Sequence, residues 1–162
     1  MTTPTPFRHI LPILSEALMN GRRVRMTVNG TSMLPWIKGG DIVELDAVNA
    51  AEVRVGDVLL GKRPDGVYVL HRAIGIHGGH VLLRGDAQSG RPDFIRRDDL
   101  IAHAVALQRG DNVIHLNKGP MKFLGLMWII SSPVGCLLQD LLVSARRKTI
   151  QLLTHLKSNP NI

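Results

Sequence analysis

Between Val24 and Leu116 the chain runs as a series of short segments rich in β-branched and apolar residues, separated by turns built on glycine, aspartate and proline. No other feature restricts the fold as much. Segments of this length cannot bury a face alone and must pair with one another in a sheet. Val24, Met26 and Val28 alternate with polar residues and read as a first strand. Gly39-Gly40-Asp41 is a turn, and Ile42, Val43 and Leu45 follow as a second strand. A connection over residues 46–56 leads to a third strand from Asp57 to Lys62, closed by the turn "KRPDG". Val67 to Ile76 is a long strand, Gly78-Gly79 reverses it, and His80 to Arg84 returns, so residues 67–84 read as a hairpin. "GDAQSGRPD" is a loop of turn formers, and Leu100 to Leu107 and Val113 to Leu116 are strands joined by Gly110-Asp111-Asn112.

The two ends have a different pattern. Residues 1–6 read as a loose tail. Apolar residues at 7, 10, 11, 14 and 18 give a helical period from Phe7 to Met19, with Asn20-Gly21 as its stop. Phe123 to Gln139 carries no formal charge, and leucines with basic residues keep helical spacing from Leu137 to Leu156. A helical hairpin bent at Ser131-Ser132-Pro133 is the simplest expectation. It has three settings: packed on the β-region, lying in a membrane interface, or spanning a bilayer. The organisation is therefore mainly β: residues 1–23 as tail and helix, 24–117 as a β-rich domain, and 118–162 as a C-terminal helical appendage.

Charge and cysteine content narrow the partners. The formal net charge is +7, which favours anionic surfaces. Only Arg146-Arg147-Lys148 follows a long apolar run, so residues 121–148 are the candidate for peripheral membrane contact. Aromatic residues are scarce, and no zinc-finger or groove-reading motif occurs, which argues against a nucleic-acid binder. Cys136 is the only cysteine, so no intrachain disulfide forms. The first residues carry no signal-peptide pattern, and the expected location is the cytoplasm.

Three places carry possible chemistry. In "VNGTSMLP" Ser32 stands between Gly30 and an apolar ledge. It reads either as a turn residue or as a nucleophile, with the N–H groups of Thr31 and Ser32 as oxyanion donors. In "VLHRAI" His71 lies in a strand among apolar residues, and its ordinary pKa of about 6.5 suits a general base. The same position also suits a hydrogen-bonded core histidine. Arg72 should point to the opposite face of that strand. In "RGDAQSGRPD" Asp86 and Asp93 lie on one loop, and either could orient His71. His77 and His80 bracket a turn without a further ligand at metal-binding spacing, so no metal and no cofactor is expected.

The ordered blocks "GTSMLPWIKGGDIVEL", "VRVGDVLL", "VLHRAI", "LLRGDA" and "IAHAVAL" resemble the catalytic core of the signal peptidase I and LexA-like serine peptidases, over about residues 24–108. The resemblance implies a LexA/signal-peptidase-like β-domain and hydrolysis of a peptide or precursor protein. Ser32 matches the nucleophile. The base strand carries His71 and no lysine, which resembles the Ser-His branch of the endoplasmic reticulum and archaea. Asp86 matches the aspartate of the glycine-aspartate turn, and Asp93 lies slightly beyond the usual spacing of the second acid. Two features depart from the family: no N-terminal membrane anchor is apparent, and no Ala-Gly or Cys-Gly bond of the self-cleaving type precedes Ser32. The rival expectation is a non-catalytic peptide- or membrane-binding module on the same fold.

Overall fold

The structure, a computed structural model, describes residues 7–116, 121–125, 127, 128 and 131. It is mainly β, with an N-terminal helix against a curled antiparallel sheet that forms half a barrel. Helix α1 spans Phe7–Met19. The strands are β1 (Val24–Thr27), β2 (Ile42–Ala47), β3 (Val58–Lys62), β4 (Tyr68–His77), β5 (His80–Arg84), β6 (Asp93–Arg96), β7 (Leu100–Arg109) and β8 (Asn112–His115). They are ordered β1-β2-β7-β3-β4-β5-β6, and β8 pairs with β7.

Two ten-residue strands organise this sheet. β7 pairs with β2 along one side; on the other it pairs first with β3 and then with β8. β4 pairs with β3 through Tyr68–Arg72 and with β5 through Arg72–His77, on opposite sides. Among the described strands, residues 68–71 therefore have an unpaired edge where β5 has already ended. Register shifts at Glu44/Leu45, Leu60/Gly61 and Ala73/Gly75 add local twist and help the sheet curl.

Alternation decides what each strand buries. Val43 and Leu45 of β2, Leu60 of β3 and Ala102, Ala104 and Leu107 of β7 fill the concave core, and Leu14 and Leu18 of α1 close it. These two leucines are one helical turn apart, so both face inward. Each such side chain contributes about 1.5–3 kcal/mol by leaving water. A smaller core on the other face joins Leu59, Ala73, Val81, Leu83 and Ile95.

The expected strands are present with ends shifted by one or two residues, and the 67–84 hairpin turns at Gly78-Gly79 as expected. β6 was not expected. Asp93 consequently starts a strand and does not share a loop with Asp86. The bent helical hairpin and the 137–156 helix lie outside the described residues, except that 121–125, 127, 128 and 131 are helical. No helix among the described residues is long and apolar enough to cross a membrane.

Candidate active site

The loop that carries Ser32 is built from its apolar neighbours. Met33 and Ile37 are both buried in the concave core, and Ile37 N–H donates to the Met33 carbonyl at 3.0 Å. One helical turn thus fixes both side chains inward and leaves Ser32 on the opposite side. Gly30 precedes it at φ +142°, a backbone state that L side chains rarely adopt. Val28 closes the loop by hydrogen bonds with Gly40 and Asp41 of 2.9 and 2.8 Å. Asp41 then locks it: its carboxylate accepts from Lys38 N–H (2.7 Å) and from Arg109 Nε and Nη2 (2.9 and 2.6 Å). These bonds to Arg109 hold the Asp41 carboxyl below its ordinary 3.8.

Opposite this loop stands His71, whose side chain is only 6 % exposed. Its Nε2 lies 3.3 Å from Ser32 Oγ, and its Nδ1 lies 3.3 Å from Asp93 Oδ2. The carboxylate takes a proton donor on Nδ1, which leaves Nε2 as the acceptor for the serine hydroxyl. Burial pushes the His71 imidazole below 6.5, and the opposing pull of Asp93 offsets only part of this. Burial thus favours the neutral imidazole, the state a base requires.

The register explains why Asp93 is the acid that reaches His71. Ala73 is opposite Leu83, and Leu83 is opposite Asp93. His71 shares a strand face with Ala73, two residues along β4, where β5 no longer intervenes. The imidazole and the carboxylate meet across that gap. Arg63 steadies the carboxylate, with Nε 3.3 Å from Asp93 Oδ1 and Nη2 2.9 Å from Asp65.

Asp86 does not touch His71. It faces Arg72, on the other side of β4, and accepts from Arg72 Nε and Nη2 at 2.9 and 2.7 Å. Both side chains are nearly inaccessible, at 2 % and 1 %. The Asp86 turn still meets the Ser32 loop through its backbone: Ala87 N–H donates to the Ser32 carbonyl at 2.9 Å. Gly85 lies so near that an added Cβ would be 2.5 Å from that carbonyl oxygen. Among the described residues no backbone carbonyl accepts from Thr31 or Ser32 N–H, the two groups named as oxyanion donors.

The structure thus brings Ser32, His71 and Asp93 together and assigns Asp86 to an ion pair. Sequence reasoning missed Arg63 and the buried partner of Arg72. The second had a signal, because an arginine within "VLHRAI" needs an acid wherever the strand is covered on both faces. Among the described residues no group of three or more His, Cys, Asp or Glu could hold a metal ion.

An open cleft of about 410 Å³ lies between Met26–Asn29 and residues of β3 and β4, including Leu60, Tyr68 and Leu70. Asn29 is three residues before Ser32, and Leu70 adjoins His71. Phe7 of α1 forms one wall, its ring centroid 5.0 Å from that of Tyr68. The outer edge of β1 is unpaired among the described strands. On β4 Arg72 and Ala73 pair with β5, so among the described strands the edge facing β5 is unpaired only before Arg72. Neither a comparison with protein-family models nor one with curated proteins finds a match for this chain.

Proposed function

We propose that this chain is a serine endopeptidase of the signal peptidase type, on a LexA-like variant of the β-fold described above. The carrying observation is the series Ser32 Oγ, His71 Nε2, His71 Nδ1, Asp93, with both hydrogen-bonding separations at 3.3 Å. His71 takes the hydroxyl proton as Ser32 attacks a peptide carbonyl, and returns it to the leaving amine. Asp93 fixes the tautomer and stabilises the imidazolium. The N–H groups of Thr31 and Ser32 hold the oxyanion. The substrate is an extended segment of a peptide or precursor protein. It lies along the cleft and pairs with the open edge of β1 or of residues 68–71.

The rival reading, a non-catalytic peptide-binding module, uses the same cleft but gives the hydroxyl–imidazole–carboxylate series no task. The discriminating experiment is mass spectrometry of candidate peptides incubated with wild type, Ser32→Ala and His71→Ala. Cleavage by wild type alone is expected. Binding without cleavage by wild type, or full activity in His71→Ala, overturns the hydrolytic reading. Cytoplasmic location and peripheral membrane contact through residues 121–148 belong to the same proposal. The exposed side chains of Phe123 and Leu124 favour that contact, and vesicle flotation of the intact chain measures it.

A further inference from the structure

The helical residues after Asn117 touch the scaffold of the Ser32–His71 pair at four points. Lys122 Nζ lies 2.9 Å from Asp57 Oδ1. Asp57 is bonded through its backbone to Ala73, two residues from His71, and its neighbour Gly56 gives its carbonyl to Arg72 Nη1 at 3.0 Å. Gly125 lies on the Arg72 guanidinium itself, where an added Cβ would be 2.6 Å from Nη1 and 2.7 Å from Cζ. Trp128 Nε1 donates to the Asp86 carbonyl at 2.7 Å. The Trp128 ring meets Trp36 edge-on, with centroids 6.2 Å apart, in the loop that carries Ser32.

These contacts converge on one object. Arg72 follows His71 in β4, Asp86 sits in the turn that holds the Ser32 carbonyl, and their ion pair joins the two halves of the site. A buried ion pair holds its geometry when water is excluded and each remaining polar atom is bonded. The segment supplies part of the cover, through Gly125, and Trp128 ties down the backbone carbonyl of Asp86 beside the pair. We propose that Lys122, Gly125 and Trp128 are positioning residues for the Ser32–His71 pair, acting through the Arg72–Asp86 pair that their helix covers. The proposal rests on the hydrolytic reading for its effect on rate and on geometry alone for its effect on structure.

Gly125→Ala is the sharpest probe. Alanine is the better helix former, so any loss comes from the contact and not from the helix. The guanidinium cannot swing away, since three hydrogen bonds hold it. Trp128→Phe keeps a ring against Trp36 and deletes the donor to Asp86. The assay is hydrogen exchange of the full chain, read peptide by peptide, beside cleavage kinetics. Both variants should speed exchange in residues 85–88 and 31–34 by about tenfold or more while β3 and β7 exchange as in wild type. Both should lower kcat by about tenfold or more with KM changed less than about twofold. Lys122→Ala should share this loss, and Lys122→Arg, which keeps the cation, should recover it. Unchanged exchange at 85–88, or equal acceleration throughout the sheet, overturns the proposal. If wild type cleaves no peptide the hydrolytic reading fails separately, and the exchange pattern still decides whether the segment positions the pair.

Discussion

Replacing Asp86 by alanine takes both carboxylate oxygens from a guanidinium whose side chain is 2 % exposed. Arg72 would keep one acceptor, the Gly56 carbonyl at 3.0 Å. Its charge has no route to water without opening the contact between β4 and the Asp86 turn or lifting the helical segment whose Gly125 lies against it. Removing one partner of a buried ion pair costs about 3–5 kcal/mol, against a typical domain stability of about 5–15 kcal/mol. At about 2–4 °C per kcal/mol for a chain of this size, the unfolding midpoint should fall by about 6–20 °C. Asp93→Asn is the counterpart. That carboxylate is 19 % exposed and bonds a neutral histidine and a half-exposed arginine, so the stability loss should stay near about 1 kcal/mol. Its effect belongs to the rate: the amide can present a donor to Nδ1 and favour the wrong tautomer, a change costing up to about 10⁴-fold in a Ser-His-Asp site. Thermal unfolding and peptide cleavage on both variants read the two quantities separately. An Asp86→Ala midpoint within about 2 °C of wild type, or an Asp93→Asn enzyme of undiminished kcat, refutes the division of labour between the two acids.

Four other outcomes are expected. Cleavage rate should rise with pH through a midpoint below 6.5, because burial lowers the His71 value; a kcat/KM profile with its midpoint above 6.5 contradicts this. The same shift makes stability fall as pH drops from 6.5 through the folded value, since in that window the unfolded chain binds the proton first, and urea unfolding of His71→Gln should show a shallower pH slope. Asp41→Ala should cost about 1.5–3 kcal/mol at neutral pH and release the Ser32 loop; because the Asp41 value is depressed below 3.8, its contribution is present above 3.8, is lost as pH falls through the folded value, and the two proteins should converge there in urea titrations. Gly85→Ala sets a Cβ against the Ser32 backbone carbonyl, which cannot turn aside as a side chain could, so a loss of about 1–3 kcal/mol together with reduced cleavage should follow in the same assays.

The fold was legible wherever local chemistry decides it. The hairpin over 67–84 follows from an alternating pattern on either side of Gly78-Gly79, and α1 follows from its apolar period. β6 was not legible. Only Ile95 of its four residues is buried, and arginine and aspartate surround it, so nothing in "DFIR" announces a strand until β5 supplies the pairing. That omission also explains why Asp86 and Asp93 were inseparable by spacing. The choice depends on which strand face each acid occupies and on β5 ending at Arg84, and both are properties of non-local register. Ser32 and His71 could be named as candidates because their residue types and neighbours are unusual. Their proximity needed the curl of the sheet.

The stretch at residues 68–71, unpaired on one side among the described strands, has a wider consequence. The molecule carries an unfinished seam beside its imidazole, where backbone donors and acceptors are arranged for a partner strand. Whatever chain settles there adds a rung, and recognition then begins with main-chain atoms common to every sequence. Side chains would enter only at alternate positions. Such a guest also stiffens its host, since binding the native state alone raises the midpoint of unfolding. On the proposed peptidase reading the seam is an invitation and a hazard, because a second copy with the same exposed edge can answer it as readily as a substrate strand.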